Sequence, residues 1–554
     1  MIFMRLLFLA IVVATAAMLL ALMLQVLAPG GWTLIKALIF LAFLGVVPWV
    51  GICVGNALFG FAVLMLMADP PRAVLPVVGD IIDDGITVGA IVTKVAVIVT
   101  VRNEPIDRVL PALQALLAEL DPAWFQGFVL SDTQDAVLAA AEQAAVPAAI
   151  FYRRRTDNAG FKAGNVMDFL DRQADAYPFT LMLDADSVMT PDAVRRLVRI
   201  MQTDPEMGIV QHLTVGLPAT TAFTRLFQFG MRAGMRVWAT GQALWQGADG
   251  PYWGHNAILR SAAFRDHCKL PLLPGGRAIL SHDQVEAAML RAAGYKVCVW
   301  ADEAGSLEAT PPALPEFLAR DSRWLAGNLE YRHLLRAPGF AAMGRWQLLQ
   351  AMLLFSGAPL CLAILLLASL SAATGGGAQT PREALLALTL AWTLAVYLPK
   401  LLGYLEVLCK PSLRRCYGGG WQFARGVLAE TIFTLLLDAL ATPHKTFAML
   451  RLAFGAGAGW SPQNRRDRAV DWAEATRLFW PHTLIGLLAF AGLAASSWLM
   501  MLWAIPYALG MVLAIPFTVL SANPGCSNWL RMRAIAATPE ELRGEFTANV
   551  APRG

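Results

Sequence analysis

Charge is what this 554-residue chain has least of: 15% of its residues are Asp, Glu, Lys or Arg, against 57% that are hydrophobic. So apolar a chain is not a soluble enzyme throughout, and it must meet a bilayer. It also lacks the one-sided charge that nucleic-acid binding needs, because 44 Lys and Arg nearly balance 40 Asp and Glu and leave a formal net charge of +4. No nucleic-acid partner is expected. Its seven cysteines, Cys53, Cys268, Cys298, Cys361, Cys409, Cys416 and Cys526, form no CxxC pair and no zinc spacing. No disulfide framework is predicted, which fits a reducing compartment around the central part of the chain.

What is present is a set of long apolar runs flanking a polar middle. Residues 6–28 follow a lone Arg5 and supply about the ~20 residues that a spanning helix needs. No small-residue cleavage site stands out, so a retained anchor is expected rather than a signal peptide. Residues 33–67 carry only Lys36 and are interrupted by Pro48, Gly51 and Asn56, which predicts one long, kinked or tilted crossing. Further spans are expected near 348–372, 384–408, 480–503 and 505–521. The loop with Lys410, Arg414, Arg415 and Arg425, and the one at 465–468, place themselves on the cytoplasmic side by their positive charge. Between them, residues 427–454 hold Glu430, Asp438, Pro443, His444, Lys445 and Arg451, a composition that predicts an interfacial amphipathic segment rather than a two-helix hairpin. About six crossings follow, with about eight as the alternative. The expected division is 1–68 (two crossings), 69–339 (soluble domain), 340–408 (membrane helices), 409–479 (cytoplasmic or interfacial) and 480–554 (membrane helices and tail).

Within 69–339, strand patterns at 94–100, 128–130, 149–152 and 180–183 alternate with helical patterns at 106–120, 135–144 and 163–172. That alternation is the grammar of a doubly wound, Rossmann-like α/β domain, whose ligands sit beyond the carboxyl ends of the strands. The strand at 180–183 delivers Asp184 and Asp186. Residues two apart on a strand face the same way, so both carboxylates can serve one Mg²⁺ or Mn²⁺, although an ordinary turn has the same spacing. Glu104, after the first strand, contacts a nucleotide base or caps the next helix. Asp132, after the second, binds uridine or ribose hydroxyls or is an N-cap. Lys162 and nearby amides precede a helix whose N-terminus accepts phosphate; a solvated charged loop is the alternative. Asp283, in Ser281-His-Asp-Gln284, is a general base or a helix cap. In Arg320-Asp-Ser-Arg-Trp324, Arg320 and Arg323 can neutralise a leaving diphosphate while Trp324 stacks on a sugar ring, and a juxtamembrane anchor has the same composition.

In this order, the motifs resemble the processive family 2 glycosyltransferases of the membrane, the group of cellulose, chitin and hyaluronan synthases. Within it they look like the branch that makes osmoregulated periplasmic glucans, strongly over 91–328. The resemblance implies a GT-A fold on the cytoplasmic face of a bacterial inner membrane. It implies UDP-glucose as donor, Mg²⁺ or Mn²⁺, a growing glucan as acceptor, and inversion to a β-1,2-linked product that the membrane helices translocate. On the matching positions, Asp132 is the uridine-binding acid and Lys162 the diphosphate lysine. Asp184 and Asp186 are the D-x-D pair, with Asp186 the direct metal ligand. Asp283 is the base, and His282 and Trp324 lie on the acceptor side. Arg320 stands where cellulose synthases have Gln, and His282 where they have Glu; both departures favour the periplasmic glucan branch. Residues 460–466 match the position of a mobile gating loop, and acyl carrier protein is a partner the resemblance implies. Rival expectations are another β-polysaccharide, a single sugar passed to a lipid carrier, or a transporter with a regulatory nucleotide-binding domain.

Overall fold

The computed structural model describes residues 1–83, 86–87, 89–455 and 466–545, so residues 460–465 of the expected gating loop lie outside the described residues. Two apolar helices open the chain, α1 (Ile2–Leu27) and α2 (Leu34–Leu66), the second capped where Thr33 Oγ1 accepts from Lys36 N–H and running unbroken through Pro48. The soluble domain is built on β1 (Val95–Val101), α3 (Ile106–Ala118), β2 (Phe125–Ser131), α4 (Ala136–Ala145), β3 (Ile150–Arg154), α5 (Phe161–Gln173), β4 (Phe179–Asp184), α6 (Pro191–Thr203) and β5 (Met207–His212). After α7 (Ala222–Gln246) come β6 (Ala257–Arg260), α8 (Asp283–Ala292), β7 (Lys296–Trp300) and α9 (Leu314–Glu330).

The seven strands form one sheet in the order β7-β5-β6-β4-β1-β2-β3. Both faces are covered, which is why β1 is an unbroken run of Val, Ala, Ile and Thr rather than an alternation. Val95, Val97 and Val99 pack with α3 and α6, while Ala96 and Ile98 pack with α5 on the other face. One strand departs from the parallel expectation: β6 runs antiparallel to both β4 and β5, pairing Ala257 with Met182 and with Gln211. Its amino end therefore lies on the same sheet edge as the carboxyl ends of its neighbours.

After the soluble domain come α10 (Ala342–Ala373), α11 (Arg382–Cys409), α12 (Gly420–Ala453) and α13 (Trp472–Ala494), and helix α7, which the sequence patterns did not single out, packs against α2, α11 and α12. It lies so close to α2 that a Cβ on Gly241 would run into the Asn56 carbonyl oxygen, and one on Gly60 into that of Val237. Backbone cannot yield as a side chain can, so Gly241→Ala is expected to cost about 1–3 kcal/mol, read as a lowered thermal midpoint in detergent. Buried arginines on α7 reach acids from distant parts of the chain. Arg225 pairs with Glu541 and Arg232 with Glu540, which dock the C-terminal segment, while Arg236 takes Glu303 at 3.2 Å and Glu406 at 3.0 Å.

Five helices, α1, α2, α10, α11 and α13, are long and apolar enough to cross a bilayer, and the chain is a membrane protein. Residues 427–453 lie within one 34-residue helix, α12, which is not among those five, and its Glu430 is 1% exposed and paired with Lys400 of α11 at 2.6 Å. One expectation changes. The span expected at 505–521 is broken at Leu513 into Ile505–Val512 and Ala514–Ser521, where Pro516 has no N–H to donate to the Val512 carbonyl. The count of long apolar helices among the described residues is accordingly five rather than six.

Candidate active site

The carboxyl ends of β1, β2 and β4 and the amino end of β6 share one sheet edge, and most of the polar groups singled out from sequence gather there. Asp184 is the last residue of β4, but Asp186 lies in the turn that follows, so strand alternation does not relate the two carboxylates. The turn is closed by Ser187, whose Oγ accepts from Asp184 N–H at 2.9 Å and whose N–H donates to the Asp184 carbonyl at 3.0 Å. Both acids nonetheless act on one neighbour. Burial lifts the Glu308 carboxyl above its ordinary range and Asp186 and Asp184 add to the effect, against the opposing pull of His255 and Arg320.

Lys162 reaches this point from the first turn of α5. Its Nζ pairs with Asp184 and donates to the Gly254 carbonyl at 2.8 Å. The tight entry to α5 uses left-handed Gly160 (φ +72°), and Asn165 anchors the helix by donating to the Leu130 carbonyl at 3.1 Å. On the β2 side, Asp132 is 4% exposed and held bidentately by Arg155, with Nε donating at 2.8 Å and Nη2 at 2.7 Å. It is not a cap: Asp135 caps α4, accepting from the N–H groups of Val137 and Leu138. Beneath Asp132, buried Glu142 accepts from Ser131 Oγ at 2.6 Å, Thr133 Oγ1 at 2.5 Å and Tyr152 OH at 3.0 Å. Thr133 Oγ1 also accepts from Asn103 N–H at 2.8 Å, which ties this loop to the one carrying half-buried Glu104. The N-cap position of α3 is taken by Pro105, the residue after Glu104.

Asp283 is the first residue of α8, which has no side-chain cap. Its carboxylate lies against Gly254, where a Cβ would come within 2.6 Å of Oδ1; Gly254 also sits at φ +82°, so both space and backbone require glycine. Gly254 thus touches Asp283 on one side and receives Lys162 on the other. Next to it, Asn256 is held at φ +48° by donating to Ser306 Oγ at 2.9 Å and to the Leu307 carbonyl at 3.2 Å, and His255 Nε2 lies 3.4 Å from Glu308. His282 is 8% exposed, with Nδ1 engaged by Glu286 at 2.8 Å and by Asp283 at 3.1 Å. Burial works against a charge on this imidazole, but the Glu286 and Asp283 carboxylates outweigh it and push it up to about 9. His282 is packed behind Asp283, buried between it and Glu286.

From the membrane side comes α9. Arg320, 8% exposed, lays its guanidinium 4.5 Å over the Trp324 ring, and Trp324 is 52% exposed with Arg323 half-buried beside it. Asp321 joins this helix to α12 through Lys445 at 3.4 Å. The edge thus brings together Lys162, Asp184, Asp186, Asp283 and Arg320, with Asp132 and Glu104 at the far end by β1 and β2. The hard oxygens of Asp184 and Asp186, at the end of a covered strand, fit a divalent cation such as Mg²⁺ or Mn²⁺.

Sequence reasoning missed Gly254, His255, Glu286, Glu308, Glu142 and Arg155. His282 and Glu286 stand four apart, the spacing of facing residues on a helix, which is a local signal. The other five carry none, because their partners come from elsewhere in the chain.

An α/β domain with carboxylates and a lysine gathered at one sheet edge, beside an arginine-tryptophan helix next to the apolar helices, is the GT-A glycosyltransferase class. The family model described as "Glycosyl transferase family group 2" matches residues 179–400. Two relatives carry the assignment further. The glucans biosynthesis glucosyltransferase H of Rhodopseudomonas palustris strain TIE-1 is 35% identical over 94% of this chain and 75% of its own length. That of Xanthomonas euvesicatoria pv. vesicatoria strain 85-10 is 33% identical over 96% and 86%. A solved mannosyltransferase of Pyrobaculum calidifontis, in complex with GDP-Man and Mn²⁺, aligns with 65% of this chain and 99% of its own at a TM-score of 0.40 and 13% identity. The chain belongs to the glucans biosynthesis glucosyltransferase H family.

Proposed function

We propose that this protein is an inner-membrane, inverting glucosyltransferase that takes glucose from UDP-glucose and extends, then translocates, the β-1,2-linked backbone of osmoregulated periplasmic glucans. What carries the proposal is Gly254, which brings the Lys162–Asp184 pair and the Asp283 carboxylate to its two sides and so sets a phosphate-binding cation next to a base. Asp132 and Glu104 receive the uridine end, Lys162, Arg320 and Arg323 the diphosphate, and Trp324 with His282 lie on the acceptor side. A Mg²⁺ or Mn²⁺ held by Asp184 and Asp186, with Asp186 the direct ligand, would neutralise charge on the diphosphate. As the acceptor oxygen bonds the anomeric carbon, its proton passes to Asp283, and the bond from that carbon to the diphosphate breaks on the opposite side. The departing charge is met by Lys162 and the arginines.

The name of the relatives supports glucan as product, and the five long apolar helices support assembly at the membrane; the catalytic domain faces the cytoplasm in this reading because nucleotide sugars are made there. The test is UDP release by the protein in lipid, with Mg²⁺ or Mn²⁺ and a panel of UDP-sugars, with and without acyl carrier protein. Products are sized and their linkages determined. UDP-glucose is expected to be used in preference to the others and to yield a β-1,2-linked polymer. Turnover that stops at one sugar would replace polymerisation with single transfer, and no donor turnover in folded protein would refute the enzymatic reading.

A further inference from the structure

Asp283 lies in a bracket of two other groups, and one of them makes no contact with the sheet edge itself. Glu286 stands one turn along α8, 2% exposed, and its Oε2 accepts from His282 Nδ1 at 2.8 Å. The same Nδ1 lies 3.1 Å from Asp283 Oδ1, so the ring stands between two carboxylates while its hydrogen bond goes to Glu286. On the opposite side, Gly254 closes on Asp283, with a Cβ there coming 2.6 Å from Oδ1 and 3.1 Å from Oδ2. The Asp283 carboxylate therefore has little room to turn. The Glu286 main chain is anchored too, since its carbonyl accepts from Cys268 Sγ at 3.5 Å.

We propose that Glu286 is a positioning residue for the transfer step, holding His282 so that Asp283 keeps one carboxylate oxygen aimed at the acceptor hydroxyl. The proposal rests on Asp283 being the base. Its physical content is the direction of one N–H. With that N–H on Glu286, His282 packs against Asp283 Oδ1 without donating to it. If Glu286 loses its charge, the buried imidazole has two alternatives. It donates wholly to Asp283 and occupies an oxygen the reaction needs, or it becomes neutral and can present a lone pair to that oxygen, displacing the carboxylate. Displacement of a reacting group by about 1 Å is enough to slow a reaction about 100-fold. Neither alternative removes a hydrogen bond of Asp132 or Lys162; the Glu286 carboxylate acts on the Lys162 charge only at a distance, so the larger effect falls on kcat.

The test follows UDP release and donor KM for the full chain in lipid, with Mg²⁺ and UDP-glucose, in Glu286→Gln, the double variant His282→Gln/Glu286→Gln, and Asp283→Asn. The double variant removes both buried charges together and leaves neither unpaired, so it tests the proposal even if the single one does not fold. The expected result is a kcat lowered about 10- to 100-fold in both Glu286 variants, with donor KM within about twofold of wild type. Wild-type kcat in either Glu286 variant, beside an inactive Asp283→Asn, overturns the proposal and leaves the base intact. A rise in donor KM that accounts for the loss overturns it as well, by making Glu286 part of donor binding. Wild-type turnover in Asp283→Asn removes the base itself, and the proposal with it.

Discussion

Asp283→Asn is expected to lower kcat for sugar transfer by about 10²- to 10⁴-fold, the range that a positioned general base contributes. A sugar hydroxyl is a poor nucleophile until its proton is withdrawn as the new bond forms, and an amide cannot take that proton. Asn matches Asp in size and can keep its oxygen 3.1 Å from His282 Nδ1, so the entry to α8 and the packing on Gly254 are preserved. The donor contacts proposed above lie elsewhere, on Asp132, Lys162 and the arginines, so on that proposal KM for UDP-glucose should stay within about threefold. Initial rates of UDP release over a donor series separate the two quantities. A kcat within tenfold of wild type in well-folded protein would assign the proton to another group, and Glu308, beside Asp184 and Asp186, would be the next to test.

Glu406→Ala should destabilise the protein by about 3–5 kcal/mol, the cost of leaving a buried charge without its partner. Glu406 is fully buried on α11, where it accepts from Arg236 Nε at 3.0 Å, Arg236 Nη2 at 3.1 Å and Lys410 Nζ at 2.9 Å. Removing it leaves two cations facing a cavity, with Arg236 still tied to Glu303 at 3.2 Å and Lys410 to the Leu64 carbonyl. Because Arg236 belongs to α7, the pair clamps the catalytic domain to the membrane helices. The measurement is thermal unfolding in detergent, with Glu406→Gln beside it. Gln keeps hydrogen-bond acceptance while losing the charge, and should fall between wild type and Ala. A midpoint unchanged in Glu406→Ala would mean that Glu303 alone satisfies Arg236.

Much of the architecture was legible because its causes are local. An unbroken run such as Val95–Val101 is a strand buried on both faces whatever follows it, and α1 and α2 are apolar enough to span a bilayer from their own composition. Asp184, Lys162 and Asp283 were legible as well, since each directly ends a strand or begins a helix at the edge where an α/β sheet binds ligands. Less legible was β6, whose four residues give too short a period to separate from its surroundings. Its reversal puts Gly254 and His255 among the carboxylates, and no pattern near them announces it. Asp186 shows a different failure: the spacing was correct, but a turn rather than a strand relates it to Asp184.

Burial of an apolar run depends on the run itself, so the amino-acid order alone settled that α1, α2, α10 and α11 are apolar enough to cross a bilayer, where the first strands lie and which loops stand at the ligand edge of the sheet. Ion pairing and catalytic geometry depend on which distant segments meet, and only the folded chain decided those. Lys162 finds the carbonyl of Gly254, 92 residues away, and Arg236 finds Glu406, 170 residues away. At such separations the intervening sequence places no constraint on the pair, and the contact exists because the sheet and the helices packed on it bring the two ends to one point.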